Sequence, residues 1–359
     1  MVFRREFRRD NLIMSTDLRH HNSFTNDIII VDGFWGGGKS VVTSLVGSLS
    51  RVEKKKVEHV YEYVSITHAA GKMEADAAAV FLQIYADLSQ YNNLIGREVN
   101  LRWADDSGFR NNPGSTKYLR RLFSRDGDLI PIKINAENIA LLIASHKLLT
   151  TSEILYDAFG SRLKLIEVVR HPVHLFYNTR DYLSVFDRPR EFDLAWDLNG
   201  VKIPVFAKSW AAEFADASIA DRALLTIARV KKATVEAIDQ ITLSGKPILV
   251  LSFENTVLDP QTALLQLEKF LGRIRTKFTK RVLRHQALPR TQISAGKSTS
   301  SFSFNSKSSM TERQIYEQIT ESITKSASPY AIKEFQDAIS LYNSRWPSPL
   351  AELESSWSK

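Results

Sequence analysis

Cysteine is absent from the 359-residue chain. That excludes a disulfide scaffold, a thiolate metal site, a cysteine nucleophile and an iron–sulfur cluster. Long apolar runs are missing too: none approaches the roughly 20 residues that cross a bilayer. The opening stretch, MVFRREFRRDNLIM, is basic and lacks the apolar centre of a signal peptide. The expectation is a cytoplasmic chain with no transmembrane segment and at most a peripheral membrane contact. Acidic excess is lacking as well. Lys+Arg total 48 against 40 Asp+Glu, for a net charge of +8, and the pI is about 9.4. This balance suits anionic partners such as nucleotides and sulfated or phosphorylated substrates, without choosing among them. With 43% hydrophobic and 25% charged residues, a disordered or collagen-like chain is ruled out.

Buried-strand candidates alternate with helical patterns. DIIIVD (27–32), EHVYEYVS (58–65), IALLIAS (139–145), LKLIEVV (163–169) and ILVLSF (248–253) read as strands. Helices are expected over 73–92, 219–243 and 259–271, with two more across 311–344 split near Ser328-Pro329. Asn199-Gly200 marks a hairpin within 192–205. The expected fold class is α/β: a three-layer, P-loop-type parallel sheet flanked by helices, with insertions and a helical C-terminal region. The division that follows is a basic N-terminal arm (1–26), a main domain (27–290) with insertions at about 70–135 and 190–206, a serine-rich mobile loop (291–310) and C-terminal helices (311–359).

The strongest motif is Gly33-Phe34-Trp35-Gly36-Gly37-Gly38-Lys39-Ser40, which matches G-x-x-x-x-G-K-[ST] between a strand and a helix. Glycines let successive backbone N–H groups converge on an anion, and the following helix adds its positive end. Lys39 brings an ammonium to phosphate oxygens. Ser40 offers a hydroxyl to a phosphate oxygen or to Mg²⁺. A metal-dependent nucleotide enzyme also needs an aspartate ending a neighbouring strand. The apolar strands instead run into Arg170, Glu254-Asn255 and His146-Lys147.

Three segments resemble the sulfotransferases that use 3′-phosphoadenosine 5′-phosphosulfate (PAPS), and they occur in that family's order. Residues 28–46 look like the 5′-phosphosulfate loop. VVRHPVHLFYN (168–178) is similar to the 3′-phosphate segment, with Asn178 where a serine is usual. LSFENTVLDPQTALLQLEKFLG (251–272) is similar to the Glu-x-x-x-x-Asp-Pro, helix, Phe-Leu-Gly stretch. The run from His146-Lys147 to Arg170-His171-Pro172 is similar to the order in the carbohydrate and bacterial branches. The family's C-terminal glycine-rich 3′-phosphate loop has no clean match; Arg290 or Gly296-Lys297 stand where a replacement is wanted.

The resemblance implies metal-free, in-line sulfuryl transfer from PAPS to a hydroxyl or amine acceptor, glycans among them, releasing the 3′,5′-bisphosphate PAP. It assigns the donor group to Trp35, Gly36, Gly37, Gly38, Lys39 and Ser40, and the 3′-phosphate to Arg170 and Asn178. His146 is the first candidate for the base, ahead of His68, and Lys147 aligns with the lysine that contacts the transferring group. Glu254 is expected to serve structure, for instance by pairing with a basic residue near the site. Trp103, Phe109 and Trp196 are candidates for stacking on an acceptor. Two other readings stay open: a Mg·ATP-dependent kinase of a small molecule, and a non-catalytic nucleotide- or nucleic-acid-binding protein. No nucleic-acid module signature appears, so no nucleic acid is expected as partner.

Overall fold

The computed structural model describes residues 17–103, 108–111, 114–125, 127–186, 188, 192–294, 310–347 and 350. The serine-rich loop lies almost wholly outside the described residues, as do Gly296-Lys297 and the first sixteen positions.

Among the described residues a five-stranded parallel sheet organises the chain. Its strands are β1 (Ile28–Gly33), β2 (Val52–Val57), β3 (Ala140–Ala144), β4 (Leu163–Val169) and β7 (Ile248–Ser252), in the order β2-β3-β1-β4-β7. The central strand shows why the sequence makes this sheet. Ile29 and Val31 enter the core on one face, and Ile28 and Ile30 enter the core on the other. A strand buried on both sides reads as a continuous β-branched run. Helices Lys39–Val46, Pro260–Leu271 and Thr279–His285 feed the first face. Helices Val60–Ala69, Ala75–Leu94 and Glu153–Phe159 feed the second. The fold class expected from the sequence is the one observed.

The hairpin forms as β5 (Ala195–Leu198) against β6 (Val201–Pro204). Asn199 and Gly200 both take positive φ, 52° and 84°, as a two-residue primed turn requires. A third core gathers Phe176–Ser184, Ile219–Leu243 and the C-terminal helices Glu312–Ser326 and Pro329–Arg345. Ser328 caps the last helix, its hydroxyl accepting the Ala331 N–H at 3.2 Å.

The second strand departs from expectation. Residues 58–65 are not a strand; they lie largely in the helix Val60–Ala69, and the strand is the preceding VEKKKV. Ladder bonds to β3 and paired charges override the polar composition. Glu53 takes two bonds from Arg121, at 2.7 and 2.9 Å. Lys54 reaches the Glu98 carbonyl, and Lys56 reaches the Glu58 and Glu98 carboxylates. The described end of the N-terminal arm is tied down by hydrogen bonds. The Leu18 N–H donates to Asp76, the Phe24 N–H to Asp87, and the His20 ring lies 3.1 Å from Asp87.

Parallel register positions the site. β3 pairs with β1 through Val31↔Ala144 and β4 through Gly33↔Val168, while β7 pairs with β4 through Val169↔Ser252. Residues just past β1, β3, β4 and β7 therefore share one carboxyl edge, where open α/β sheets bind ligands.

Candidate functional site

The loop after β1 is a glycine cradle. Gly36 and Gly38 have φ of 71° and 87°. A Cβ at Gly38 would stand 2.0 Å from the Phe253 ring, and one at Gly36 would stand 2.8 Å from the Asn178 amide group. Both positions need glycine for conformation and for close approach. The Gly37 N–H donates to the Phe34 carbonyl at 3.0 Å, closing the turn.

Lys39 opens the helix behind the loop and is buried, 8% exposed. Its ammonium donates to the carbonyls of Gly33 and Phe34, both at 2.9 Å. Burial lowers its pKa to about 8, against the opposing pull of Asp32, Glu167 and Glu62. Ser40 is half-buried in the first turn.

Arg170 follows β4 and reaches back to the loop. Its Nη1 donates to the Gly36 carbonyl at 2.6 Å, and its guanidinium stacks on Phe253 with the ring centroid 4.5 Å away. Helix Phe176–Ser184 brings Asn178 against the same Gly36. Arg290 approaches the Phe253 ring at 5.5 Å and donates to the Ile293 and Gln286 carbonyls. Burial, with Arg170 close by, lowers the pKa of Arg290 to about 10. Neither arginine forms an ion pair with a described carboxylate. Two guanidinium groups hydrogen-bonded only to carbonyls are chemically suited to an anion.

Glu254 is fully buried and holds the Arg170 turn. Its carboxylate accepts the His171 N–H at 3.0 Å, the Ser252 hydroxyl at 3.1 Å and the Tyr342 hydroxyl at 2.6 Å. Glu254 thus serves structure through a backbone amide and two hydroxyls, with Arg170 and Lys231 acting on it only through their charge. Lys231 donates to the Arg170 carbonyl at 3.3 Å from the other side. Beneath them a small cavity of ≈ 10 Å³, lined by Gly37, Glu167, Arg170 and Lys231 among others, is about large enough for one water.

On the opposite flank, Asp32 does what composition did not announce. It ends the loop's own strand and is completely buried. It accepts the Ser145 hydroxyl at 2.9 Å and the N–H groups of Leu148 and Leu149 at 2.7 and 2.8 Å. These bonds fold the turn that carries His146 and Lys147, where Lys147 takes a positive φ of 56°. The Lys147 ammonium lies 3.9 Å from the Trp35 ring, 5.4 Å from Phe206 and 5.8 Å from Tyr182. Trp35 itself stacks on Tyr182 at 3.8 Å. An aromatic box thus fixes the lysine head beside the glycine loop.

His146 faces Glu62. The carboxylate accepts the His146 backbone N–H at 2.7 Å and stands 3.4 Å from its Nδ1. Glu62 also lies 3.5 Å from Nδ1 of His59. Burial pushes the Glu62 carboxyl up, but bonds from His146 and His59 outweigh it and hold it at about 2. Burial, then Lys39, holds His146 at about 4, so its ring is neutral at pH 7. A neutral ring facing a carboxylate keeps its proton on Nδ1 and leaves Nε2 free to accept. The ligand atoms of His59, Glu62 and His146 all lie within 4.8 Å of one another.

The structure gathers Trp35 to Ser40 with Arg170 and Asn178, and sets Lys147 against Trp35. His68 is not part of this group: it sits at the far end of its helix from His59 and bonds the Met73 carbonyl at 3.0 Å. Trp103 is 70% exposed beneath Arg110. Phe109 begins a short 3₁₀ turn. Trp196 packs against the third core and donates to the Val205 carbonyl. Asp32, His59, Glu62, Tyr182 and Phe206 are the site residues that sequence reasoning missed.

No family model matches the chain, and no curated protein does. Among solved structures it is similar to the sulfotransferase domain of the curacin biosynthetic pathway, with 14% identity, a TM-score of 0.42, and coverage of 89% of this chain and 99% of that one. The sulfotransferase domain of the Synechococcus PCC 7002 olefin synthase gives 12%, 0.41, 92% and 100%. Sulfotransferase STF9 from Mycobacterium avium gives 13%, 0.41, 90% and 77%.

Proposed function

We propose that the chain transfers a sulfuryl group from PAPS to a hydroxyl acceptor. The observation that carries this reading is the meeting of Arg170, Asn178 and Gly36, with Arg290 across the Phe253 ring. A glycine cradle serves the phosphosulfate end. Two guanidinium groups without carboxylate partners beside it serve a second phosphate, the feature that separates PAPS from ATP. The kinase reading lacks support at the same edge. Both oxygens of Asp32 already accept bonds, and Glu62, the carboxylate beside His146, is held by two imidazoles rather than facing Ser40 as a lone acid.

PAPS supplies the activated sulfuryl group. The loop amides and Lys39 hold its anionic end and stabilise charge on the departing oxygen. Lys147, fixed by its aromatic box, adds a second positive charge. Nε2 of His146 takes the acceptor proton, while Glu62 keeps the Nδ1 proton in place. The acceptor hydroxyl is thereby oriented between a base and two cations.

Calorimetric titration with PAP and with adenosine 5′-monophosphate tests the reading. PAP is expected to bind tighter by on the order of 100-fold, the worth of a charge-assisted arginine pair. Equal affinities would overturn the 3′-phosphate assignment.

The buried ammonium of Lys39 makes that affinity sensitive to pH. Its pKa stands near 8, so the charge is present below pH 8 and is lost as pH rises through it. PAP affinity is expected to fall between pH 7.5 and 9.5 by about 10-fold. Lys39→Met should bind more weakly throughout and show a flatter profile. An equally steep profile in the variant would assign the pH dependence to another group.

A further inference from the structure

We infer that His59, Glu62 and His146 form a binding site for a divalent transition cation of the zinc class, and that its occupancy switches the base off. The first half stands on geometry alone. The second half rests on the proposed role of His146.

The three residues come from two separate segments of the chain. His59 and Glu62 are spaced i, i+3 at the start of helix Val60–Ala69, and His146 follows β3. The carboxylate stands between the two rings, 3.5 Å from His59 Nδ1 and 3.4 Å from His146 Nδ1. Zinc bonds to nitrogen and oxygen are about 2.0–2.2 Å, so the edges of a tetrahedral site are about 3.4 Å. The two contacts have that length and use different carboxylate oxygens, Oε2 toward His59 and Oε1 toward His146. With one ligand atom taken from each residue, all three lie within 4.8 Å of one another, so a small closure of the triangle completes the site. The rings lie nearly parallel, with an interplanar angle of 20°. His59 is 48% exposed at its side chain, so its ring is free to close the triangle and solvent reaches the fourth position. Two imidazoles and one carboxylate with an open position suit zinc, cobalt(II) or nickel(II) better than magnesium or calcium.

The surrounding charges set the strength. Glu62 is the anion of the site, and Asp193 adds negative charge near His59. The ammonium groups of Lys39 and Lys147 act on His146 from the loop side. They weaken cation binding, so micromolar affinity is expected rather than the far tighter binding of structural zinc.

Occupancy has a chemical consequence. A cation on Nδ1 of His146 takes the position that the Glu62-facing proton holds. The ring then carries its proton on Nε2 and can no longer accept one there. The cation therefore acts as an inhibitor of a metal-free reaction, not as its cofactor.

Cobalt(II) added to the full-length protein tests the site without reference to activity. The expected result is saturable binding with the intense visible bands of tetrahedral cobalt, lost in Glu62→Gln and in His59→Ala. Far-ultraviolet circular dichroism and melting confirm that both variants are folded, and His59→Gln replaces His59→Ala if needed. Absent or weak octahedral-type bands in the parent protein, or tetrahedral bands that persist in these variants, would overturn the site. If sulfuryl transfer is observed, zinc should inhibit it in the parent protein and lose that effect in His59→Ala, each measured as a ratio within one protein. Equal zinc sensitivity in both would overturn the switch. Cobalt bands in a protein that fails to bind PAP would leave the metal site standing and remove the donor assignment.

Discussion

Arg170→Ala is expected to weaken PAP binding by about 100-fold or more while leaving adenosine 5′-monophosphate nearly unchanged. The asymmetry follows from where the guanidinium sits. It lies on the Phe253 ring, 4.5 Å from the centroid, with Nη1 on the Gly36 carbonyl at 2.6 Å. No described carboxylate pairs with it directly, although Glu254 and Glu312 act on it from a distance, so its donors are available to a phosphate. Removing it deletes one of two cations at the proposed 3′-phosphate end, Arg290 being the other. Arg170→Lys should recover only part of the loss, because an ammonium lacks the fork that spans a carbonyl and a phosphate at once. Calorimetry on the parent and both variants reads the difference directly. Parallel losses for both nucleotides would place Arg170 at the loop end instead.

His146→Gln is expected to lower kcat by about 100- to 1,000-fold with PAP affinity within about 2-fold of the parent, the range for loss of a positioned base. The split between turnover and donor binding is the informative part. His146 touches Glu62 but not the glycine cradle, so donor binding should survive. Glu62→Gln should give a smaller loss, because the ring keeps a neutral hydrogen-bond partner but loses the charge that fixes its proton on Nδ1. A His146→Gln enzyme with full turnover would remove the residue from the reaction and shift attention to Lys147.

Much of this arrangement was legible in the chain, for local reasons. The glycine loop declares itself because strand, glycines, lysine and helix are contiguous. Arg170 and Asn178 were readable together because a strand end, a 3₁₀ turn over Pro172–Leu175 and the start of a helix return the chain to the loop over a short span. What was hidden depends on distance and on pairing. VEKKKV carries no apolar pattern, and its strand exists because Glu98, Glu58 and Arg121, remote or off the strand, satisfy its charges. Misplacing that strand moved residues 58–65 out of their helix and concealed His59 and Glu62 as a pair. Asp32 escaped notice because a carboxylate ending the loop's own strand gains meaning only when the turn at 145–149 folds onto it. Tyr182 and Phe206 enter the Lys147 box from separate segments, with no motif to join them.

The most direct test of the account is the melting temperature of the full chain with PAP and with ATP, each with and without Mg²⁺. A ligand at 100 times its dissociation constant adds about 2.7 kcal/mol of stability. The account predicts a large shift with PAP that is the same with and without metal, and little shift with ATP. A shift that appears only with Mg·ATP would contradict it and return the glycine loop to a kinase.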